Sequence, residues 1–153
     1  MYFAMVWALM LVIPALSVII ESALTSESDL VWLIAKWFVF WGIGIRLLTA
    51  GAKQVVQPGF TARTIFNMDT PDAEKLVIEI GFGNVAIGLV SAMSLAFPAF
   101  VPPMALTGGL FLGMAGVKHV VNANRTSEET TALISDLIIG VVGIVTAVLL
   151  LLR

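Results

Sequence analysis

Cysteine is absent from this chain of 153 residues, histidine occurs once, and charged residues are scarce. Without cysteine the chain provides no disulfide, no thiolate metal site and no iron–sulfur cluster. The single histidine, His119, excludes a haem held by two histidines of one subunit. Only 12% of the residues are charged, which is too few to cover the surface of a soluble domain. The shortage of charge therefore favours a membrane protein.

Apolar residues fill most of the chain: 59% are hydrophobic, and the mean hydropathy is +1.04. A helix needs roughly 20 mostly apolar residues to cross the hydrocarbon of a bilayer. Five runs satisfy this requirement, at about residues 3–20, 30–50, 73–97, 103–122 and 131–152. The sequence therefore predicts an all-α fold in which residues 1–153 form one transmembrane domain, a polytopic bundle of about five spans.

Capping residues mark two of the predicted helix starts. Thr70 stands before Pro71, so a capping hydroxyl precedes a proline at the first helical position. Thr126 and Glu129 have the spacing of a capping box, in which the glutamate reaches back to the cap. Residues 51–69 allow two interpretations: a short helix at the membrane interface, or a linker interrupted by proline and glycine.

The basic residues predict an orientation in the membrane. Lys53 and Arg63 lie in the 51–72 segment and Arg125 lies in the 119–130 segment, whereas the 21–29 segment contains no basic residue. Because lysine and arginine favour the cytoplasmic side, we expect a cytoplasmic N terminus and an external C terminus. The lipid bilayer is then the first partner, and no basic run suggests a nucleic acid.

Ionisable residues inside the spans are the candidate functional residues, because such groups are costly in hydrocarbon. Arg46, Glu79, His119 and Asp136 belong to four different spans, which run alternately up and down. The alternation places all four in the cytoplasmic third of the membrane, with Asn84 about one turn deeper than Glu79. These five residues are predicted to bind a ligand or a proton, and none is predicted to be catalytic.

Small residues indicate which helix faces are packed. In the fourth span, Gly109, Gly116 and His119 follow helical spacing, so His119 is expected to face protein rather than lipid. In the third span, Glu79 shares a face with Gly83, and we expect that face to point inward as well.

Three interpretations of the polar residues remain open. They form an ion-pair network that fixes helix packing, or a vestibule that exchanges protons or binds a ligand, or a metal site. The metal alternative uses Glu79, His119 and Asp136, but these residues lack ligand-like spacing, so no metal is predicted. No cofactor is predicted either.

Three sequence segments carry a family resemblance: GIRLLTAGAK at 44–53, EIGFGN at 79–84 with Gly88, and GMAGVKH at 113–119. Through them, about residues 40–150 resemble uncharacterised small bacterial membrane proteins that are distantly related to the DoxX-like four-helix group. The resemblance implies a helical bundle in the bacterial cytoplasmic (inner) membrane. DoxX-like proteins are loosely associated with redox and quinone-linked systems, which is a hint of function by analogy only.

The sequence leaves three classes of function. The first is a small transport or channel-like protein whose polar cluster binds a proton or small solute. The second is a non-catalytic accessory or assembly subunit of a larger membrane complex, and the third is a quinone-linked redox protein. No phosphate-binding loop, dinucleotide fingerprint, zinc-protease motif or nucleophile elbow is present, so an enzyme is not favoured. Because five short spans bury little surface against one another, we expect a homo-oligomer.

Overall fold

The computed structural model describes residues 2–25, 29–121 and 125–153, and those residues form helices without any strand. Five helices are long and apolar enough to cross a membrane, which confirms the predicted all-α bundle. A sixth, short helix lies between the second and third spans. In chain order the helices are α1 (Phe3–Leu24), α2 (Leu30–Val56), α3 (Pro58–Thr64), α4 (Pro71–Leu95), α5 (Pro98–Val120) and α6 (Ser127–Leu151).

Helix α2 is longer than predicted and contains a wide turn. It continues to Val56 instead of ending near residue 50, because Arg46–Val56 keeps helical geometry beyond the apolar run. Its middle, Phe38–Ile45, is π-helical, and a similar π-helical turn occupies Ala8–Val12 in α1. Each π turn accommodates an extra residue and so rotates the faces of the residues that follow it. Arg46 is the first residue after the π-helical segment of α2.

The segment between α2 and α4 forms the short helix α3. Its sequence contains Pro58-Gly59, but proline at the first helical position needs no hydrogen-bond partner for its nitrogen, so the helix starts there. Ala62 of α3 is buried against Ala73 and Val77 of α4. The helix interpretation of residues 51–69 is therefore correct for Pro58–Thr64.

Both predicted capping hydroxyls are in place. The side chain of Thr70 accepts a hydrogen bond from the backbone N–H of Ala73, at 3.2 Å. The side chain of Thr126 accepts one from the backbone N–H of Glu129, at 3.0 Å. Helices α4 and α6 consequently start at Pro71 and Ser127, two and four residues earlier than their apolar runs.

Glycines allow close packing along two seams. The backbones of α5 and α6 are so close that a Cβ added to Gly140 would lie 2.7 Å from the Cα of Gly113. Helices α2 and α4 meet where a Cβ added to Gly88 would lie 2.6 Å from the backbone nitrogen of Leu48. Such approaches exclude any side chain, so these seams hold the backbones of neighbouring spans close together. The seams therefore fix the level of α5 relative to α6, and of α2 relative to α4.

Candidate functional site

Arg46 of α2 and Asp136 of α6 form a buried ion pair. The Arg46 guanidinium donates a hydrogen bond to Asp136 and a longer one, 3.4 Å from Nη2 to Oγ, to Ser135. The two charged side chains are only 13% and 6% exposed. Opposite charges that are removed from water in this way hold each other, and here they join the second span to the last.

His119 of α5 has a partner of its own. Its Nδ1 lies 2.9 Å from Oε1 of Glu129, near the start of α6, and both side chains are buried. His119 faces protein, as the spacing of Gly109 and Gly116 predicts, and all three residues are buried. The sequence interpretation assigned Glu129 to a capping box and did not identify it as the partner of His119.

Asn84 lies on the buried face of α4, next to α2. Its Nδ2 donates a hydrogen bond of 2.6 Å to Oε1 of Gln54. The buried face of α4 also includes Gly81, Gly88 and Ser91, so it follows a spacing of three and four residues. Asn84 is therefore an inward-facing polar group, and the side chain of Gln54 fixes its orientation.

Glu79 does not belong to this group, and its predicted inward orientation is wrong. The residue is exposed, and Gly83 on the same face is also exposed, with no atom within 4 Å of the Cβ that could be added there. The packed glycines of α4 are Gly81 and Gly88, which lie on a different face. The sequence places glycines on two faces of α4. Only the packing of the neighbouring helices determines which of the two faces is buried.

Glu79 and Arg46 also do not lie at one level of the bundle. A Cβ added to Gly81 would lie 3.0 Å from the Cβ of Gln54, whereas Gly88 packs against Leu48. Because α2 and α4 are antiparallel, Arg46 lies level with the residues just after Gly88. Glu79 is about ten residues away from that level, or roughly 15 Å at the rise of an α-helix.

A cavity of about 200 Å³ brings the other four predicted residues together. One wall is a single face of α2, with residues at helical spacing: Arg46, Thr49, Ala50, Lys53 and Gln54. The remaining polar lining comes from Asn84, His119 and Asp136, and from Thr61 of α3. Most of the other lining is apolar: Met5, Val6, Leu9, Leu47, Phe60, Ile65, Phe66, Ile80, Phe111, Leu112, Ala115 and Ala132.

Two polar atoms near this cavity are buried without a hydrogen-bond partner in the described part of the chain. They are Nη1 of Arg46, a donor, and Oδ1 of Asn84, an acceptor. Both residues line the cavity. Leaving such a group unpaired inside a membrane protein costs about 1–3 kcal/mol or more. A molecule in the cavity would supply the missing hydrogen bonds of these two atoms once the side chains that cover them move aside.

The structure distinguishes among the interpretations of the polar residues. Arg46–Asp136 and His119–Glu129 are two separate pairs rather than one network of four, although both line or adjoin the same cavity. The alternative metal set is not assembled, because Glu79 is exposed on a different face of the bundle. Among residues 2–25, 29–121 and 125–153, no three potential ligands from His, Cys, Asp and Glu are grouped to hold a metal ion.

Sequence reasoning missed Lys53, Gln54 and Glu129 as residues of this site. Lys53 follows Arg46 by seven positions and Gln54 by eight, so helical spacing alone would place them on one face if α2 were known to continue. For Glu129 no sequence signal was available, because its spacing from Thr126 also suits a capping box.

The comparisons with known proteins show a family without an assigned activity. The family model described as "Family of unknown function (DUF6790)" matches residues 1–152. Comparison with curated proteins and with solved structures finds no match. The prediction of an uncharacterised family is confirmed, and the more distant DoxX-like relationship stays a prediction. Since the match covers nearly the whole chain, the protein belongs to the DUF6790 family of unknown function.

Proposed function

We propose that this membrane protein binds a small organic solute in the cavity between α1, α2, α4, α5 and α6, and that it serves the transport of that solute. One observation carries the proposal: Arg46 Nη1 and Asn84 Oδ1 are buried without partners among the described residues, and both residues line the same cavity. A donor on Arg46 and an acceptor on Asn84 are together complementary to the polar groups of a ligand. The apolar lining then accommodates the rest of the molecule.

The size of the cavity limits the solute. An apolar cavity of about 150 Å³ is known to accept benzene, so about 200 Å³ holds a ring of that size with a small polar substituent. The cavity is thus suited to a metabolite rather than to a two-chain lipid. Its polar residues restrict the pose, because the polar part of the solute must lie beside Arg46, Lys53 or Asp136.

The proposal includes an orientation. Phe60 and Thr61 of α3, followed by Ile65 and Phe66, line the cavity at the end of the bundle where the basic segments lie. Thr126 at the start of α6 donates a hydrogen bond of 2.9 Å to the backbone oxygen of Thr64, so α3 is fastened across that end. By the bias of basic residues, this end faces the cytoplasm of a bacterial cell and the N terminus is on the same side.

The absence of native cysteine makes the orientation simple to test. Met68 and Ala99 are exposed at opposite ends of the bundle, so each is replaced by cysteine in a separate variant. A membrane-impermeant maleimide added to intact cells should label Ala99→Cys, and should label Met68→Cys only after permeabilisation. The reverse pattern would place the cavity mouth outside.

The binding proposal is tested by filling the cavity. Ala115 lines the cavity, so Ala115→Phe places a ring inside it, whereas Val117→Phe places the same ring at a position that is 60% exposed. Native mass spectrometry of gently released protein should show a small molecule on wild type and Val117→Phe, and less of it on Ala115→Phe. Uptake of that molecule into proteoliposomes should follow the same order.

Other results of the same experiments would indicate a different function. If Ala115→Phe retains as much ligand as wild type, the cavity is not the binding site. A foreign subunit that copurifies in place of a small molecule would indicate an accessory subunit. A retained quinone would indicate the redox function. The same spectra give the number of chains, for which we propose a homo-oligomer.

A further inference from the structure

Lys53 has no acidic partner among the described residues, unlike Arg46 and Lys36. Arg46 is bound to Asp136, and Lys36 is bound to Glu21, whose Oε1 lies 2.7 Å from Nζ. For Lys53, no carboxylate lies within ion-pair distance among the described residues, and its Nζ is instead 3.2 Å from the centroid of the Phe60 ring. A ring face attracts an ammonium group but does not neutralise it.

The α2 wall of the cavity consequently carries two positive charges, on Arg46 and Lys53. The acidic lining residue is Asp136, and the lining also includes His119, whose partner Glu129 adjoins the cavity. Asp136 already serves Arg46, so Lys53 remains uncompensated, and Nη1 of Arg46 has no acceptor in the described chain. In a region of low dielectric constant, such a positive wall favours an anion and opposes a cation.

The two basic groups share one face of α2. They are seven residues apart, which is about two helical turns or roughly 10 Å along the axis. Both long side chains line the same cavity. Asn84 of α4 also lines the cavity, and its Oδ1 has no hydrogen-bond donor in the described chain.

The rest of the cavity is suited to a hydrocarbon or aromatic body. Met5, Val6 and Leu9 of α1 form one apolar side, and Phe111 and Leu112 of α5 form another. These side chains offer no hydrogen bond, so they gain only by contact with an apolar group. The cavity thus combines basic groups on α2 with apolar side chains on α1 and α5.

We propose that the ligand of this site is a small organic monocarboxylate. Its carboxylate lies between Nη1 of Arg46 and Nζ of Lys53, and its apolar body lies against α1 and α5. This inference rests on the proposed function and adds the chemical class of the solute. Lys53 then exchanges the ring of Phe60 for the carboxylate when the ligand binds, so the resting contact keeps the ammonium ordered without occupying the anion site.

Three probes of one shape and different charge test the inference: benzoate, benzamide and benzamidinium. Binding is measured by calorimetry on the full chain in nanodiscs of phosphatidylcholine, whose surface carries no net charge. We expect benzoate to bind at least about tenfold more tightly than benzamide, and benzamidinium not to bind. Lys53→Gln should weaken benzoate about tenfold and leave benzamide unchanged, since only the charged hydrogen bond is lost.

Matched variants exclude a general effect of charge. Lys75→Gln removes a lysine that is exposed and bound to Asp72, outside the cavity, and should leave benzoate binding as in wild type. Lys53→Arg keeps the charge and should retain most of the affinity. Equal affinity for the three probes, or equal loss with Lys53→Gln and Lys75→Gln, would overturn the inference.

The outcomes separate this inference from the proposed function. If benzamide binds as well as benzoate and Ala115→Phe prevents both, the cavity is a binding site and only the monocarboxylate assignment is wrong. If no probe binds and Ala115→Phe also leaves the retained ligand of the native protein unchanged, both proposals fail.

Discussion

The Arg46 guanidinium is hydrogen-bonded to the Asp136 carboxylate, which lies 90 positions further along the chain. The pair therefore joins α2 to α6, and both members lie in the wall of the cavity. A buried ion pair of this kind adds little to the free energy of unfolding, whereas removing only one of its members costs much more. This asymmetry gives the first prediction.

Removing one member should destabilise the bundle far more than removing both. Asp136→Leu leaves the Arg46 guanidinium buried and unpaired, which should cost about 3–5 kcal/mol of unfolding free energy. Arg46→Met combined with Asp136→Leu replaces the pair by apolar side chains and should recover most of that loss. Unfolding in mixed micelles, followed by circular dichroism, gives the three free energies. A double variant no more stable than Asp136→Leu would contradict the assignment.

The bundle itself was predictable because each span carries its own signal. Apolar length defines five helices, and the hydroxyls of Thr70 and Thr126 define two starts without any tertiary information. The end of α2 was not predictable in this way. Lys53 and Gln54 are polar, so they terminate an apolar run although the backbone continues as a helix to Val56. That error concealed Lys53 and Gln54 as residues of the cavity wall.

The site was only partly predictable, because which face of a helix is buried depends on its neighbours. Arg46, Asn84, His119 and Asp136 line one cavity, whereas Glu79 does not. The glycines at 81 and 88 pack against α2, and Gly83 faces outward, yet the sequence alone presents all three as small residues. The hydrogen-bond and ion-pair partners of the polar residues depend on the same packing, so the sequence alone did not reveal them.

These two glycine environments in α4 provide the second prediction. An alanine at 88 would place its Cβ 2.6 Å from the Leu48 nitrogen and 2.9 Å from the Gly44 oxygen, and both contacts are backbone atoms. Gly88→Ala should therefore separate α2 from α4 and cost about 1–3 kcal/mol, as overpacking does elsewhere. Gly83→Ala, in the same helix, meets no atom within 4 Å and should leave stability unchanged or slightly higher.

Unfolding midpoints of the two glycine variants, measured side by side in one detergent, check this prediction. The comparison controls for the helix propensity of alanine, because both substitutions are in α4. Equal destabilisation by both would show that the α2–α4 seam is not packed as closely as the distances indicate.

The third prediction concerns the pair that the capping interpretation missed. Glu129→Leu removes the carboxylate 2.9 Å from His119 Nδ1 and should cost about 1–3 kcal/mol, since the imidazole stays buried without that partner. Glu128→Leu removes the preceding carboxylate, which contacts Ser127 near the helix start, and should cost less than about 1 kcal/mol. Both substitutions leave the Thr126 cap in place.

A double-mutant cycle isolates the contact between His119 and Glu129. His119→Leu and Glu129→Leu, alone and together, should give a coupling energy of at least about 0.5 kcal/mol. Additive free energies would mean that the two side chains do not interact in the folded protein.

The fourth prediction concerns acid sensitivity at the opposite end of the bundle. Asp29 caps the start of α2, where its carboxylate accepts hydrogen bonds from the guanidinium of Arg153 and from the backbone N–H of Trp32. The Arg153 hydrogen bond is the larger of these causes, and together they lower the pKa of Asp29 below the ordinary value of 3.8. A carboxylate whose pKa is lower in the folded state adds stability above its unfolded pKa. That stability is lost as the pH falls from 3.8 through the folded pKa.

Arg153→Ala should raise the pKa of Asp29 toward 3.8 and remove most of this acid-dependent stability, while the Trp32 hydrogen bond keeps the pKa slightly low. Carboxyl-carbon NMR of aspartate-labelled protein in micelles measures the titration directly. Lys75→Ala, which removes a basic residue near the other end of the bundle, serves as the control and should leave Asp29 unchanged. If Asp29 titrates identically in wild type and Arg153→Ala, the two residues are not in contact. The C-terminal end of α6 is then not tied to the start of α2.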